Sequence, residues 1–133
     1  MGNKGYTVLE TFVVIALITA VAVFFTVYTD GVRAKGRDAA RVAAVREITN
    51  ALALYNTSNG FYPAAAETKL TGEDPLSRAL VGGKLLPAMP VDPRSPNFEY
   101  TYQSDGASYQ LMFCLETESI KGYPKGCDNK IIP

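Results

Sequence analysis

The chain has 133 residues with 13 basic and 13 acidic side chains, so its formal net charge is zero. That length suits one domain with a modest core, and the neutral balance offers no electrostatic footprint for nucleic acid or a strongly acidic partner. Histidine is absent and the two cysteines, Cys114 and Cys127, lack CxxC spacing, which argues against zinc, Ser-His-Asp and Cys-His chemistry.

The first element is the apolar run Tyr6–Thr29, 24 residues with one charged side chain, Glu10. About 20 helical residues cross the hydrocarbon core of a bilayer, so the run predicts a transmembrane helix. Three other readings compete. A cleaved secretory signal would use Lys4 and the small-residue triplet Ala20-Val21-Ala22, but the apolar run continues beyond it. A plain single-pass anchor explains the length and leaves Glu10 without a role. A buried core helix would need a larger protein around it, because the run is apolar on every side. A carboxylate inside such a run is costly and marks a functional residue whose partner has to be named.

The residues ahead of the run supply a fourth reading. Gly5 stands directly before Tyr6-Thr7-Val8-Leu9-Glu10, behind the short leader MGNKG. This combination resembles the type III signal of type IV pilins and of the pseudopilins of type II secretion. The resemblance implies cleavage after Gly5 by a prepilin peptidase, a new and often N-methylated terminus at Tyr6, and Glu10 as the assembly glutamate. The α-ammonium created at Tyr6 of one subunit would meet the Glu10 carboxylate of its neighbour, an ion pair strengthened by low dielectric and able to fix axial register. The competing reading of Glu10 is a protonated carboxyl, or one lying at headgroup depth. Charge distribution runs against the family topology: Arg33, Lys35, Arg37 and Arg41 follow the run against Asp30 and Asp38, and the positive-inside rule alone would keep the C-terminal part in the cytoplasm.

Beyond the run, Ala39, Val42, Val45, Ile48, Leu52 and Tyr55 recur at three- and four-residue steps, the apolar face of an amphipathic helix. Arg37, Arg41 and Arg46 fall largely off that face, as a solvated basic surface or one touching headgroups or a neighbouring subunit. Gly31–Gly36 is the expected place for a kink or a melted stretch, and Gly60 the expected stop. Residues 61–96 read as irregular, apart from a short helix at Asp74–Val81 capped by Asp74 with Pro75 in its first turn. The four prolines of PAMPVDPRSP exclude a helix or a central strand at 87–96.

Alternation around Tyr100 and Tyr102, and around Tyr109, Leu111 and Phe113, predicts strands near 98–103 and 108–116 joined by an Asp-Gly turn. Their apolar face is expected against Val42, Val45 and Leu52. Cys114 and Cys127 read as a disulfide in an oxidising compartment, or else as two buried thiols. The resemblance extends here: Tyr62, Pro63, Pro90, Asp92, Pro93, Tyr100, Tyr102, Tyr109 and Leu111 are similar to the P-x-D-P, Y-x-Y and Y-x-L path of the major, G-type pseudopilins. Those proteins bind calcium in a C-terminal loop rich in Asp and Gly. This chain departs, with only Glu116, Glu118 and Asp128 around a cysteine-bounded loop closer to that of type IV pilins, so no cofactor is expected.

The expected fold is α+β and type IV pilin-like: a long N-terminal helix, half hydrophobic and half amphipathic, packed on a small antiparallel sheet with a disulfide-bounded C-terminal loop. The expected segments are a leader at 1–5, a transmembrane or filament-core helix at 6–29, an amphipathic half at 30–56 and a β-region at 57–133. The expected function is structural: a pilus subunit that polymerises through its hydrophobic helix after cleavage. The alternatives are a type II secretion pseudopilin, or an anchored binding domain that never polymerises. No motif supports an enzyme or direct nucleic-acid binding. The implied partners are copies of the same chain, the prepilin peptidase, an inner-membrane assembly platform and minor pilins. The implied location is the membrane first and then a surface fibre, serving adhesion, motility or secretion.

Overall fold

The computed structural model describes residues 5–133, so all of the expected leader except Gly5 lies outside the described residues. The elements run α1 (Val8–Asn59), β1 (Ala65–Lys69), α2 (Pro75–Gly82), β2 (Thr101–Ser104), β3 (Tyr109–Leu115) and β4 (Gly126–Ile131). The chain divides into two units, the first ending at Ala34 and the second spanning Lys35–Pro133.

The first unit is the apolar part of α1. Its side chains are exposed from Tyr6 to Thr26. The threonines fit this surface because their hydroxyls turn back onto the helix: Thr19 Oγ1 donates to the Ile15 carbonyl at 2.8 Å, Thr26 Oγ1 to Val23 at 2.8 Å and Thr29 Oγ1 to Phe25 at 2.9 Å. Each hydroxyl is thereby satisfied without a solvent or lipid partner. The melted stretch considered at Gly31–Gly36 is not found, since both glycines are helical within Val8–Asn59. A glycine costs about 1 kcal/mol against alanine but keeps its amide donor, and each added residue of an established helix gains a hydrogen bond.

The helix also continues past Tyr55. It stops where Gly60 takes a left-handed φ of 80° and donates its N–H to the Asn56 carbonyl at 2.7 Å, the backbone state that favours glycine after a helix.

In the second unit the sheet is antiparallel with strand order β1-β2-β3-β4. Tyr102 stands opposite Leu111 across β2 and β3. The expected Asp-Gly turn joins them: Asp105 Oδ1 accepts from the amides of Ala107 and Ser108 at 2.9 and 2.8 Å, and Gly106 has φ 93°. Tyr109, Leu111, Phe113 and Leu115 alternate inward and join Tyr100 and Tyr102 in one core with Val42, Val45, Ile48 and Leu52 of α1. The Tyr102 hydroxyl donates to the Pro63 carbonyl at 2.9 Å, so this buried ring has its polar end paired. Asp74 caps α2 as expected, accepting from the Ser77 amide at 2.9 Å, with Pro75 in the first turn. Residues 87–96 hold neither helix nor strand.

Two strands were not expected. Ala65–Lys69 lies in the stretch read as irregular, yet it pairs with β2; Gly126–Ile131 lies in the cysteine-bounded end, yet it pairs with β3. Both are edge strands. Such strands need one pairing partner and few buried side chains, so AAETK and GCDNKI carry little of the alternation that identifies a central strand. Cys114, on the outward face of β3, is bonded to Cys127 of β4. The Asn129 side-chain amide holds the enclosed loop by donating to the carbonyls of Pro124 and Gly126 at 2.9 and 3.0 Å.

Candidate functional site

The residues singled out at the chain start fall around the first turn of α1. Gly5 and Tyr6 precede the helix, and Tyr6 is 84% exposed. Thr7 is the N-cap. Its carbonyl accepts the Thr11 amide at 3.1 Å and its Oγ1 accepts the Glu10 amide at 3.2 Å. Thr7-Val8-Leu9-Glu10 has the S/T-x-x-E spacing of a capping box, of which only the Thr7 half is formed. The Glu10 carboxylate is exposed on the apolar helix, and among the described residues no hydrogen bond or ion pair reaches it. A carboxylate in the first turn is favoured by the helix dipole, but that term is small against the cost of a lone charge in hydrocarbon. The helix is long and apolar enough to cross a membrane.

The second concentration of charge lies within the unit Lys35–Pro133. Arg41 is completely buried, which corrects for this residue the reading of the 33–46 basic residues as a solvated or lipid-facing surface, while Arg33, Lys35 and Arg46 are exposed. Its Nε and Nη2 fork onto Asp92 at 2.6 and 3.0 Å, while Nη1 reaches Asp38 at 2.8 Å and Glu116 at 2.7 Å. Asp38 accepts in turn from the amides of Glu116 and Thr117 at 2.9 and 2.8 Å and from the Thr117 hydroxyl at 2.7 Å. Arg37 binds both oxygens of Glu116, and Arg94 adds a contact to Glu116 at 3.0 Å. The Phe98 ring lies 4.8 Å from the Arg41 guanidinium carbon. Three arginines and three carboxylates thus tie α1, the segment at Asp92–Arg94 and the end of β3 together. The one local signal was the i, i+3 spacing of Asp38 and Arg41; the long-range partners had none.

Glu116 was one of the few acidic residues left near the cysteine-bounded loop as a cation ligand. Its carboxylate is committed to three guanidiniums, so it does not fit a calcium site. Among the described residues no group of three His, Cys, Asp or Glu side chains is placed to hold a metal ion.

Hydrogen bonding from Arg37 holds Glu116 well below the usual carboxylate range, against burial, with Arg41 and Arg94 adding to the effect. Burial opposes ionisation of Asp38, but the Glu116 amide, the Thr117 hydroxyl and amide and Arg41 together pull it below its ordinary value. A carboxylate depressed in the folded state contributes stability that is complete above its unfolded value, about 4, and is lost as pH falls through the folded value. The thermal midpoint is therefore expected to stay level from about pH 8 to about pH 5 and to fall below about pH 4. Unfolding curves across that range check this, and Glu116→Gln is expected to lower stability at neutral pH while flattening the acid limb.

Gly5, Tyr6 and Glu10 belong to the first unit and Cys114 and Cys127 to the second. Comparison with protein-family models, with curated proteins and with solved structures finds no match to this chain.

Proposed function

We propose that the protein is the structural subunit of a type IV pilus, which polymerises through its apolar helix after a prepilin peptidase removes residues 1–5. The observation that carries this reading is a membrane-length helix with exposed apolar side chains from Val8 onward and one carboxylate, Glu10, with no partner among the described residues. An apolar surface of that extent has to be covered by lipid, by other copies of the helix, or by each in turn. A lone carboxylate at its start supports the last, because a neighbour's Tyr6 α-ammonium would complete the pair. The motif Gly5-Tyr6-Thr7-Val8-Leu9-Glu10 supports the same processing. The disulfide between Cys114 and Cys127 and the commitment of Glu116 to arginines favour the pilin form over a calcium-binding pseudopilin.

On this reading the chain begins in the membrane, passes through an assembly platform with minor pilins, and ends in a surface fibre. Intact mass and N-terminal sequencing of sheared surface material test it. The expected chain starts at Tyr6, with or without one methyl group. A chain recovered only from membranes and still carrying MGNKG overturns it in favour of a non-polymerising anchor.

A further inference from the structure

We infer that the Thr7 hydroxyl positions the Gly5–Tyr6 peptide bond for processing by halting the helix one residue short of it; this rests on the cleavage reading above. The geometry is a competition for one donor. In a helix extended by one residue, the Glu10 amide would bond the Tyr6 carbonyl, following the i to i−4 rule. Here that amide is taken by Thr7 Oγ1. The first intrahelical bond instead runs from the Thr11 amide to the Thr7 carbonyl. Gly5 and Tyr6 are left outside the helix and exposed.

A peptidase needs such a segment, because a helical backbone has its amide and carbonyl groups engaged internally and must unwind before it can be gripped. The reaction is hydrolysis: the Gly5 C–N bond breaks, the oxygen of water joins the Gly5 carbonyl carbon, and the nitrogen of Tyr6 leaves as an amine. Without the Thr7 hydroxyl, the next upstream residue whose side chain can cap a helix is Asn3. A helix starting there would carry the scissile bond inside its first turn.

The test is a crossed set of substitutions in the full chain, expressed in cells that contain a prepilin peptidase, with precursor half-life read by pulse-chase and the cut site by intact mass. Thr7→Val keeps the side-chain shape and removes the cap; Thr7→Asn changes the shape and keeps the cap. Thr7→Val is expected to lengthen the precursor half-life about fivefold, on the scale of a lost N-cap. Thr7→Asn and Thr7→Ser are expected to be processed like wild type. In detergent-solubilised precursor, the Tyr6 and residue 7 amides of Thr7→Val should gain protection from hydrogen exchange. Equal processing of Thr7→Val and wild type overturns the inference and leaves the cleavage reading standing. Slow Thr7→Asn with normal Thr7→Val also overturns it, assigning residue 7 to direct recognition by shape. A wild-type chain that is never cut overturns both.

Discussion

Arg41→Ala is expected to destabilise the unit Lys35–Pro133 by about 3–5 kcal/mol, the scale for removing one partner of a buried ion pair. The loss is large because the substitution strands two carboxylates, Asp38 and Asp92, that are themselves buried, and deprives Glu116 of one of its cations. Arg41→Lys is expected to recover only part of it. One ammonium cannot fork onto both Asp92 oxygens while also reaching Asp38 and Glu116. The combination Arg41→Met, Asp38→Asn, Asp92→Asn is expected to be more stable than Arg41→Ala alone, because it removes the stranded charges rather than exposing their cost. Denaturant unfolding of the full chain in detergent, followed through the buried tyrosines, measures all three. An Arg41→Ala chain within about 1 kcal/mol of wild type, the ordinary effect of a single substitution, would mean that water replaces the guanidinium at little cost.

Glu10→Ala is expected to reduce filament yield to background while leaving the second unit folded, with its disulfide and thermal midpoint unchanged. The size of the effect separates the proposed assembly role of this residue from a local helix effect. As a first-turn carboxylate beside the Thr7 cap, Glu10 contributes about 0.3–1 kcal/mol to its own helix, too little to abolish assembly. In the proposed filament it would hold a charge pair with a neighbour's α-ammonium in an apolar bundle, where breaking one side leaves the other uncompensated. Glu10→Gln keeps the shape and loses the charge, and is expected to assemble poorly as well. Sheared filament yield, with total chain and midpoint measured in parallel, decides. Normal filaments from Glu10→Ala would remove the register role and leave only the helix-dipole contribution.

The readable parts of this fold are those with local causes. The periodic face from Val42 to Leu52, the Asp74–Pro75 helix start and the Asp105–Gly106 turn each rest on a few neighbouring residues, and each is found where those residues lie. The unread parts depend on residues far apart. β1 and β4 form because β2 and β3 offer open edges, not because their own side chains alternate. Arg41 looked like a surface residue because its helical position lies off the apolar stripe. Its burial follows from Asp92 and Glu116, 51 and 75 residues later. Gly31 and Gly36 were over-read as breakers, since the cooperative gain of an established helix exceeds their local cost. At the candidate site, Gly5, Tyr6 and Glu10 are legible as a motif, and the Thr7 cap within it rests on equally local spacing.

The order in which the chain is synthesised gives the arginine–carboxylate cluster a temporal consequence. Arg37 and Arg41 emerge first, and Glu116, with its contacts to Arg37, Arg41 and Arg94, emerges 75 residues after Arg41. Until then Asp38 also lacks the amides of Glu116 and Thr117. A nascent chain short of these residues could pair Arg41 with Asp38 and Asp92, but Arg37 and Arg94 would lack the Glu116 carboxylate. Native packing of the second unit is therefore expected to wait until Glu116 has emerged.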